Sequence, residues 1–157
     1  MARQEKTNAV RMLEAAGIEF ETRSYDTDEH LDAVSVAEKI GESPERVFKT
    51  LVTVNDKREH FVFVIPGDCS LDLKKAAKVS GSKYIEMIKM DLLLPLTGYI
   101  RGGCSPIGMK RQFPVFIAEE AQLFESIFVS AGVRGMQILI RPDDLIKITG
   151  GEFADLI

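Results

Sequence analysis

The sequence predicts a mixed α/β domain in which about five helices surround a strongly curved sheet, or small barrel, of about seven strands. Short runs rich in Val, Ile, Thr and Phe alternate with helical segments along the whole chain. No repeat, linker or low-complexity tract interrupts this alternation, so residues 1–157 are expected to form a single domain. An open mixed sheet with layered helices is the alternative architecture.

The helices are predicted from residues that favour helix starts and from glycines that end helices. Thr7 is expected to cap the first helix, and Asp32 is expected to cap the second. The predicted helical segments are residues 8–16, 32–41 and 73–79, a turn after Asp91, and a final helix from Arg141 to about Gly150.

The strands are predicted from short runs of β-branched and aromatic residues bounded by turn signals. Residues 45–54 and 60–65 are separated by a polar turn, which predicts a hairpin. The other predicted strands are residues 18–25, 84–87, 99–100, 115–118, 127–130 and 136–140.

Composition excludes several classes of protein. The chain is 45% hydrophobic and 28% charged, with a net charge of -4, so a broadly basic surface is absent and DNA is not an expected partner. Any nucleic-acid contact must use a local patch or a partner protein. No apolar run is long enough for a signal peptide or a membrane span, which predicts a cytoplasmic protein. Two cysteines and two histidines are too sparse for a zinc pattern, so neither a metal nor a cofactor is expected.

Lys49 is unusual because it lies near the start of a strand with two largely apolar faces. Burial of an ammonium group is costly, so its side chain must reach water, a carboxylate or an anionic ligand. One interpretation is that the long side chain extends to solvent at the rim of the sheet. The other is a cation at the mouth of a pocket, where it would hold a phosphate or a carbonyl oxygen.

The segment of residues 102–108 is predicted to be a glycine-rich loop. Adjacent Gly102 and Gly103 allow close approach to a ligand, and their N–H groups could point at an oxyanion, while Pro106 would stiffen the loop. The alternative is a wide turn between strands. Cys104 lies within the loop, but no sequence context places a histidine beside it, so a nucleophilic thiol is not expected.

A second small-residue turn follows the strand of residues 127–130. Ser130, Gly132 and Gly135 suit a tight turn at the end of a strand. Turn chemistry alone is sufficient to explain them. In a functional interpretation, Ser130 or the Gly132 amide would line a site.

Four motifs occur in an order that resembles a known family. They are VFKTL from Val47, LDLKKAAKVSG from Leu71, GYIRGGCSPIGMK from Gly98 and VSAGVRG from Val129. Together they resemble the bacterial YbaK-type Cys-tRNA(Pro) deacylases, within the wider prolyl-tRNA editing-domain family. The similarity extends over nearly the whole chain.

The resemblance implies a compact α/β domain with a barrel-like sheet, which removes amino acids wrongly esterified to tRNA, chiefly cysteine on proline tRNA. Water or the substrate's own thiol would attack the ester, and attack by the thiol would release a cyclic thioester. Prolyl-tRNA synthetase is the expected partner that hands over the mischarged tRNA. The alternatives are editing of Ala-tRNA(Pro) and a non-catalytic module that binds tRNA or the synthetase.

The resemblance also implies roles for individual residues. Lys49 matches the lysine that the family places in its active site, where it would bind the terminal ribose or phosphate and orient the ester. The implied substrate-binding positions are Tyr25, Gly102, Gly103, Pro106, Ser130 and Gly132. Gln137 stands where some relatives carry an aspartate, so a carboxylate role at this position cannot be carried over.

Overall fold

The structure, a computed structural model, describes residues 6–28 and 32–157. Within these residues five α-helices form, at the predicted places. They are α1 (Asn8–Ala15), α2 (Ala33–Ile40), α3 (Leu73–Ser80), α4 (Leu93–Thr97) and α5 (Pro142–Thr149). The predicted caps are present: the Thr7 hydroxyl accepts a hydrogen bond from the Val10 N–H, and the Asp32 carboxylate accepts one from the Ser35 N–H.

Eight strands form in the described part of the chain. They are β1 (Glu21–Ser24), β2 (Phe48–Asn55), β3 (His60–Pro66), β4 (Ile85–Met87), β5 (Val115–Ala118), β6 (Ile127–Ser130), β7 (Met136–Ile140) and β8 (Glu152–Ala154). One sheet has the order β1-β7-β6, and the other has the order β4-β2-β3-β5-β8. The second sheet is mixed, because β5 pairs parallel to both β3 and β8.

The mixed α/β class is confirmed, but the described residues do not form a closed barrel. The strands divide into a sheet of three and a sheet of five, which are connected by an isolated parallel bridge between Val47 and Phe128. On the same edge of β2, strand β4 pairs only from Thr53 to Asn55. The edge of β2 that faces away from β3 is therefore contacted by β6 at one end and by β4 at the other. The part of β2 between these two contacts has no neighbouring strand on that edge, so the sheet does not close there.

Two strand predictions differ from the structure. Residues 99–100 are not a strand, because the Tyr99 N–H donates to the Thr97 hydroxyl and the Tyr99 hydroxyl donates to the Ile107 carbonyl. These bonds fold the segment into a loop. Strand β8 was not predicted, since three residues are too few to show alternation.

The core extends across both sheets. Among its fully buried side chains are Leu13 of α1, Phe63 of β3, Ile117 of β5 and Ile138 of β7. The ring of Phe63 stacks on that of Phe116 at 5.5 Å between centroids. Of the helices in the described residues, none combines the length and apolarity needed to cross a membrane.

Candidate active site

A cavity of about 420 Å³ opens between the two sheets. Strand β2 supplies one wall, and the ends of β6 and β7 supply another through Ser130 and Gln137. Gly102 and Cys104 of the glycine-rich loop complete the lining together with residues of the segment from Met87 to Leu93. Three predicted site residues, Lys49, Gly102 and Ser130, are thus brought to one place from three separate parts of the sequence.

The cavity lies where β2 has no neighbouring strand in the described residues. The Ile88 N–H donates to the Val52 carbonyl at 3.3 Å, so Val52 presents its backbone on the β4 side. Backbone groups alternate along an antiparallel strand, so Thr50 directs its N–H and C=O to that same side. The gap between β4 and β6 therefore exposes the backbone of Thr50 to the cavity.

Lys49 lies half-buried in the cavity lining. Its ammonium group donates a hydrogen bond to the Gly67 carbonyl at 3.3 Å. In residues 6–28 and 32–157 Lys49 forms no salt bridge, so no carboxylate neutralises its charge there. A neutral carbonyl orients the cation and leaves it able to bind an anionic or strongly polarised oxygen.

The glycine-rich loop is held in a fixed shape behind the cavity. Gly102 has a positive φ of 83°, which favours glycine. The Gly103 N–H donates to the Ile100 carbonyl at 3.0 Å, so this amide is committed to the turn. A side chain on Gly103 would lie 3.1 Å from the backbone of Val133 and Arg134, so the loop packs directly on the second small-residue turn.

Tyr99 connects both turns, and sequence reasoning missed this role. The tyrosine is buried, and burial raises its pKa to about 12, so it remains a neutral donor. Its hydroxyl donates to the Ile107 carbonyl at 2.6 Å. A side chain on Gly132 would meet the Tyr99 ring at 2.6 Å. The small residue at position 132 is therefore required by packing against Tyr99.

Four of the predicted substrate-binding residues do not line the cavity. Tyr25 is half-buried against a second apolar cluster that contains Val36 and Phe128. Gly103, Pro106 and Gly132 lie behind the lining, in the two turns. Their predicted contacts with substrate stay predictions, and in this structure they shape the wall that carries Gly102 and Ser130.

Ser130 reaches the cavity from the end of β6. Its hydroxyl accepts a hydrogen bond from the Gly132 N–H at 3.2 Å. This bond shapes the turn and leaves the hydroxyl proton for another partner. Ser130 pairs in register with Gln137 of β7, so both side chains are fixed by the same pair of strands.

Several lining residues were not assigned to the site from the sequence, among them Thr50, Gln137 and Gly67. Thr50 and Gln137 each have a buried side-chain oxygen with no hydrogen-bond partner in the described residues. Gly67 supplies the carbonyl that holds Lys49. Its Pro66-Gly67 sequence signals a turn after a strand, but nothing local indicates that the carbonyl faces a lysine on the neighbouring strand.

Cys104 lines the cavity as a neutral thiol. Burial raises its pKa to about 12. A thiol of that pKa is almost entirely protonated at neutral pH and is a poor nucleophile. The His60 ring contacts that of Phe113 in a tilted arrangement at the other end of the β2–β3 hairpin, about 17 Å along the strand from Lys49. His30 lies outside the described residues.

No metal site is evident in the described residues, which contain no cluster of three or more His, Cys, Asp or Glu placed to hold an ion. The cavity lining therefore offers two cationic side chains, Lys49 and Arg101, the carboxylate of Asp32, several neutral oxygens and backbone amides. Such a lining can bind and polarise an ester.

Comparison with known proteins identifies the family. The family of aminoacyl-tRNA editing domains matches residues 27–148. This chain belongs to that family. The editing domain is also 52% identical over 154 residues to a candidate Cys-tRNA(Pro)/Cys-tRNA(Cys) deacylase, EbsC, of Enterococcus faecalis, covering 98% of this chain and 94% of the relative.

One further relative and one solved structure are more distant in sequence. An uncharacterised protein of Bacillus subtilis, YwhH, is 29% identical over 131 residues, covering 83% of this editing domain and 79% of YwhH. A crystal structure of a candidate trans-editing enzyme for prolyl-tRNA synthetase has the same fold, with a TM-score of 0.85 at 24% identity. It covers 95% of this chain and 94% of that one.

Proposed function

We propose that this editing domain acts in trans to remove amino acids from mischarged tRNA, with cysteine esterified to proline tRNA as its principal substrate. The observation that carries the proposal is an unneutralised lysine in a cavity that also contains a glycine-rich loop. Family membership supports ester cleavage on aminoacyl-tRNA. The name of the relative from Enterococcus faecalis supports the choice of amino acid and tRNA.

In the proposed mechanism the cavity stabilises the tetrahedral intermediate of ester cleavage. Lys49 binds the terminal ribose or phosphate and orients the ester. The Gly102 amide is the loop donor that we assign to the oxyanion, because the Gly103 amide is already bonded to Ile100. The loss of one oxyanion donor typically raises the barrier by about 2.7–4 kcal/mol.

The attacking group comes from outside the protein. Cys104 is neutral, and in the described residues no histidine lies beside it to remove its proton. Water can attack the carbonyl carbon and release the free amino acid. With cysteine as the substrate, the thiol sulfur can attack instead: the C–S bond forms, the ester C–O bond breaks, and the ribose oxygen takes the thiol proton. The products are then a cyclic thioester and uncharged tRNA.

Replacement of Lys49 tests the function directly. We expect Lys49→Ala to lower the deacylation rate of Cys-tRNA(Pro) by about a hundredfold or more, because a charge-assisted contact to the substrate is lost. The matched control is Lys57→Ala, in the exposed turn at the far end of the same hairpin. Equal rates for the wild type and Lys49→Ala would refute the role of Lys49. Protection of the ester by the wild type would indicate a binding module.

We also propose that the protein is a single cytoplasmic domain that receives mischarged tRNA from prolyl-tRNA synthetase. The net charge of -4 supports a need for a partner, since the surface attracts tRNA weakly by itself. Addition of the synthetase to the assay should lower the KM for Cys-tRNA(Pro). A synthetase of unrelated specificity is the control, and an identical KM with both would contradict delivery.

A further inference from the structure

Two residues that line the cavity, Thr50 and Gln137, each carry a buried side-chain oxygen (Oγ1 and Oε1) that lacks a hydrogen-bond partner. In the described residues only three buried side-chain polar atoms are unpaired, and the third, on Glu120, does not line the cavity. Gln137 is only 5% exposed. Buried polar atoms are nearly always paired, so two unpaired oxygens in one cavity indicate a ligand that supplies hydrogen-bond donors.

Both oxygens are held by rigid elements. Gln137 lies in β7, the central strand of the three-stranded sheet, between Arg23 of β1 and Ser130 of β6. Thr50 lies in β2, which pairs with Val64 of β3. The two acceptors thus approach the cavity from different sheets. The Thr50 carbonyl, which points to the same gap, provides a third acceptor.

We propose that these acceptors bind the free α-ammonium group of the aminoacyl ester, an inference that rests on the proposed function. An ammonium group carries three donors and no acceptor, so it fits oxygens that separate elements of one site supply. Hydrogen bonds to a charged donor are stronger than bonds to a neutral one. Lys49 is left to engage the ribose or phosphate, which carry the complementary acceptors.

This assignment predicts selectivity for esters with an unmodified amino group. N-acylation removes the positive charge, leaves a single N–H donor and adds a carbonyl oxygen that faces the same acceptors. The Gln137 Oε1 atom, which can only accept, would then lack a donor in a buried site, which is strongly disfavoured. N-acylated esters, including peptidyl-tRNA, would consequently be spared.

Cysteinyl-tRNA and N-acetylcysteinyl-tRNA are the probes, because acetylation changes the amine and leaves both the ester and the thiol. We expect the wild type to cleave the N-acetyl ester about ten- to a hundredfold more slowly. Gln137→Leu and Thr50→Val should reduce cleavage of the free-amine ester much more than that of the N-acetyl ester. The preference should therefore fall by about tenfold in each variant.

Two variants provide controls. Thr53→Val makes the same substitution three residues along β2, at a residue that does not line the cavity and whose hydroxyl already donates to the Phe61 carbonyl at 2.9 Å. It should keep the wild-type preference. Thr50→Ser retains the hydroxyl and should restore much of the preference that Thr50→Val loses. Thermal unfolding of each variant establishes that it is folded.

The outcomes separate this inference from the proposed function. If the wild type cleaves both esters at equal rates, ammonium recognition is refuted and deacylation stands. Equal losses on both esters in Gln137→Leu and Thr50→Val would also refute it, because the oxygens would then act on another part of the substrate. If the wild type cleaves neither Cys-tRNA(Pro) nor its N-acetyl derivative, the proposed function itself fails.

Discussion

Cys104 illustrates how burial decides the chemistry of a single residue. It lies in the cavity wall beside Gly102, where a reactive thiol could attack an ester, but its pKa is raised to about 12. We expect Cys104→Ala to retain deacylation within about threefold of the wild-type kcat/KM, because a protonated thiol contributes little as a nucleophile. Steady-state kinetics on Cys-tRNA(Pro) measures this. A loss as large as that of Lys49→Ala would mean that the protein supplies the nucleophile.

Gly132 is required for two separable reasons, its backbone conformation and its contact with Tyr99. Its φ is +97°, and an added Cβ would lie 2.6 Å from the Tyr99 ring. We expect Gly132→Ala to destabilise the protein by about 2–4 kcal/mol, since backbone strain and overpacking add. Gly81→Ala is the matched control, because Gly81 has φ +68° and no atom within 4 Å of an added Cβ. Equal losses in urea unfolding would show that the ring contact costs nothing.

For single residues, the sequence indicated a functional role only where a residue breaks a local pattern. Lys49 stands out in an apolar strand, and its place in the cavity lining agrees with the interpretation as a cation at a pocket. Thr50 does not stand out, because threonine is ordinary in a strand, and Gln137 stands out only by comparison with relatives that carry an aspartate at its position. Their importance depends on missing partners, which becomes visible only when both sheets are assembled.

Among the elements, the junction between the two sheets has the most unusual chemistry. The buried ring of Phe128 in β6 contacts two guanidinium groups, those of Arg23 at 4.8 Å and Arg46 at 5.2 Å from its centroid. Both arginines bond to the carboxylate of Glu42, at 2.6 Å and 3.2 Å. This carboxylate holds two like charges against one ring, next to the Val47–Phe128 bridge that joins the sheets.

The pH dependence of stability tests this junction. The hydrogen bond from Arg23 lowers the pKa of Glu42 below its ordinary value of 4.5. A depressed pKa contributes stability above the ordinary value and loses it as the pH falls through the folded-state pKa. Glu42→Gln should therefore be less stable than the wild type near neutral pH, with the difference in free energy of unfolding shrinking below pH 4.5.

Urea unfolding at several pH values measures this difference. Glu45→Gln is the control, since Glu45 is exposed on the same short segment and forms no salt bridge in the described residues. A constant difference between wild type and Glu42→Gln from neutral to acidic pH would mean that the charge of Glu42 does not stabilise the junction.

Element positions were more predictable than element pairing. The strands at residues 115–118, 127–130 and 136–140 were confirmed, because β-branched and aromatic runs bounded by turn residues are local signals. The division into two sheets was not predicted. This division arises because β6 and β4, which are about 40 residues apart in sequence, contact the same edge of β2 at different places. The alternation of side chains within one strand carries no information about such long-range pairing.

For the whole molecule, the question is whether two sheets separated by a cavity unfold together. One cluster of buried side chains includes residues of both sheets and of α1, α3 and α5. The end of the chain closes onto this core: Leu156 is fully buried, its carbonyl accepts a hydrogen bond from the Asp72 N–H at 2.8 Å, and Asp155 pairs with Lys75. These contacts favour one cooperative unit.

We therefore predict a single two-state unfolding transition. Far-UV circular dichroism and the near-UV signal of the tyrosines should give coincident curves; the chain has no tryptophan.

Val47→Ala removes buried volume at the bridge between the sheets, where Val47 is 1% exposed. It should lower the free energy of unfolding by about 1–3 kcal/mol and shift both curves equally, because loosening the bridge weakens the whole core. Leu123→Ala, at a side chain that is 79% exposed, should shift neither. Separation of the two curves in Val47→Ala would show that the sheets unfold as independent units, and the one-domain proposal would then fail while the assignment of the cavity would stand.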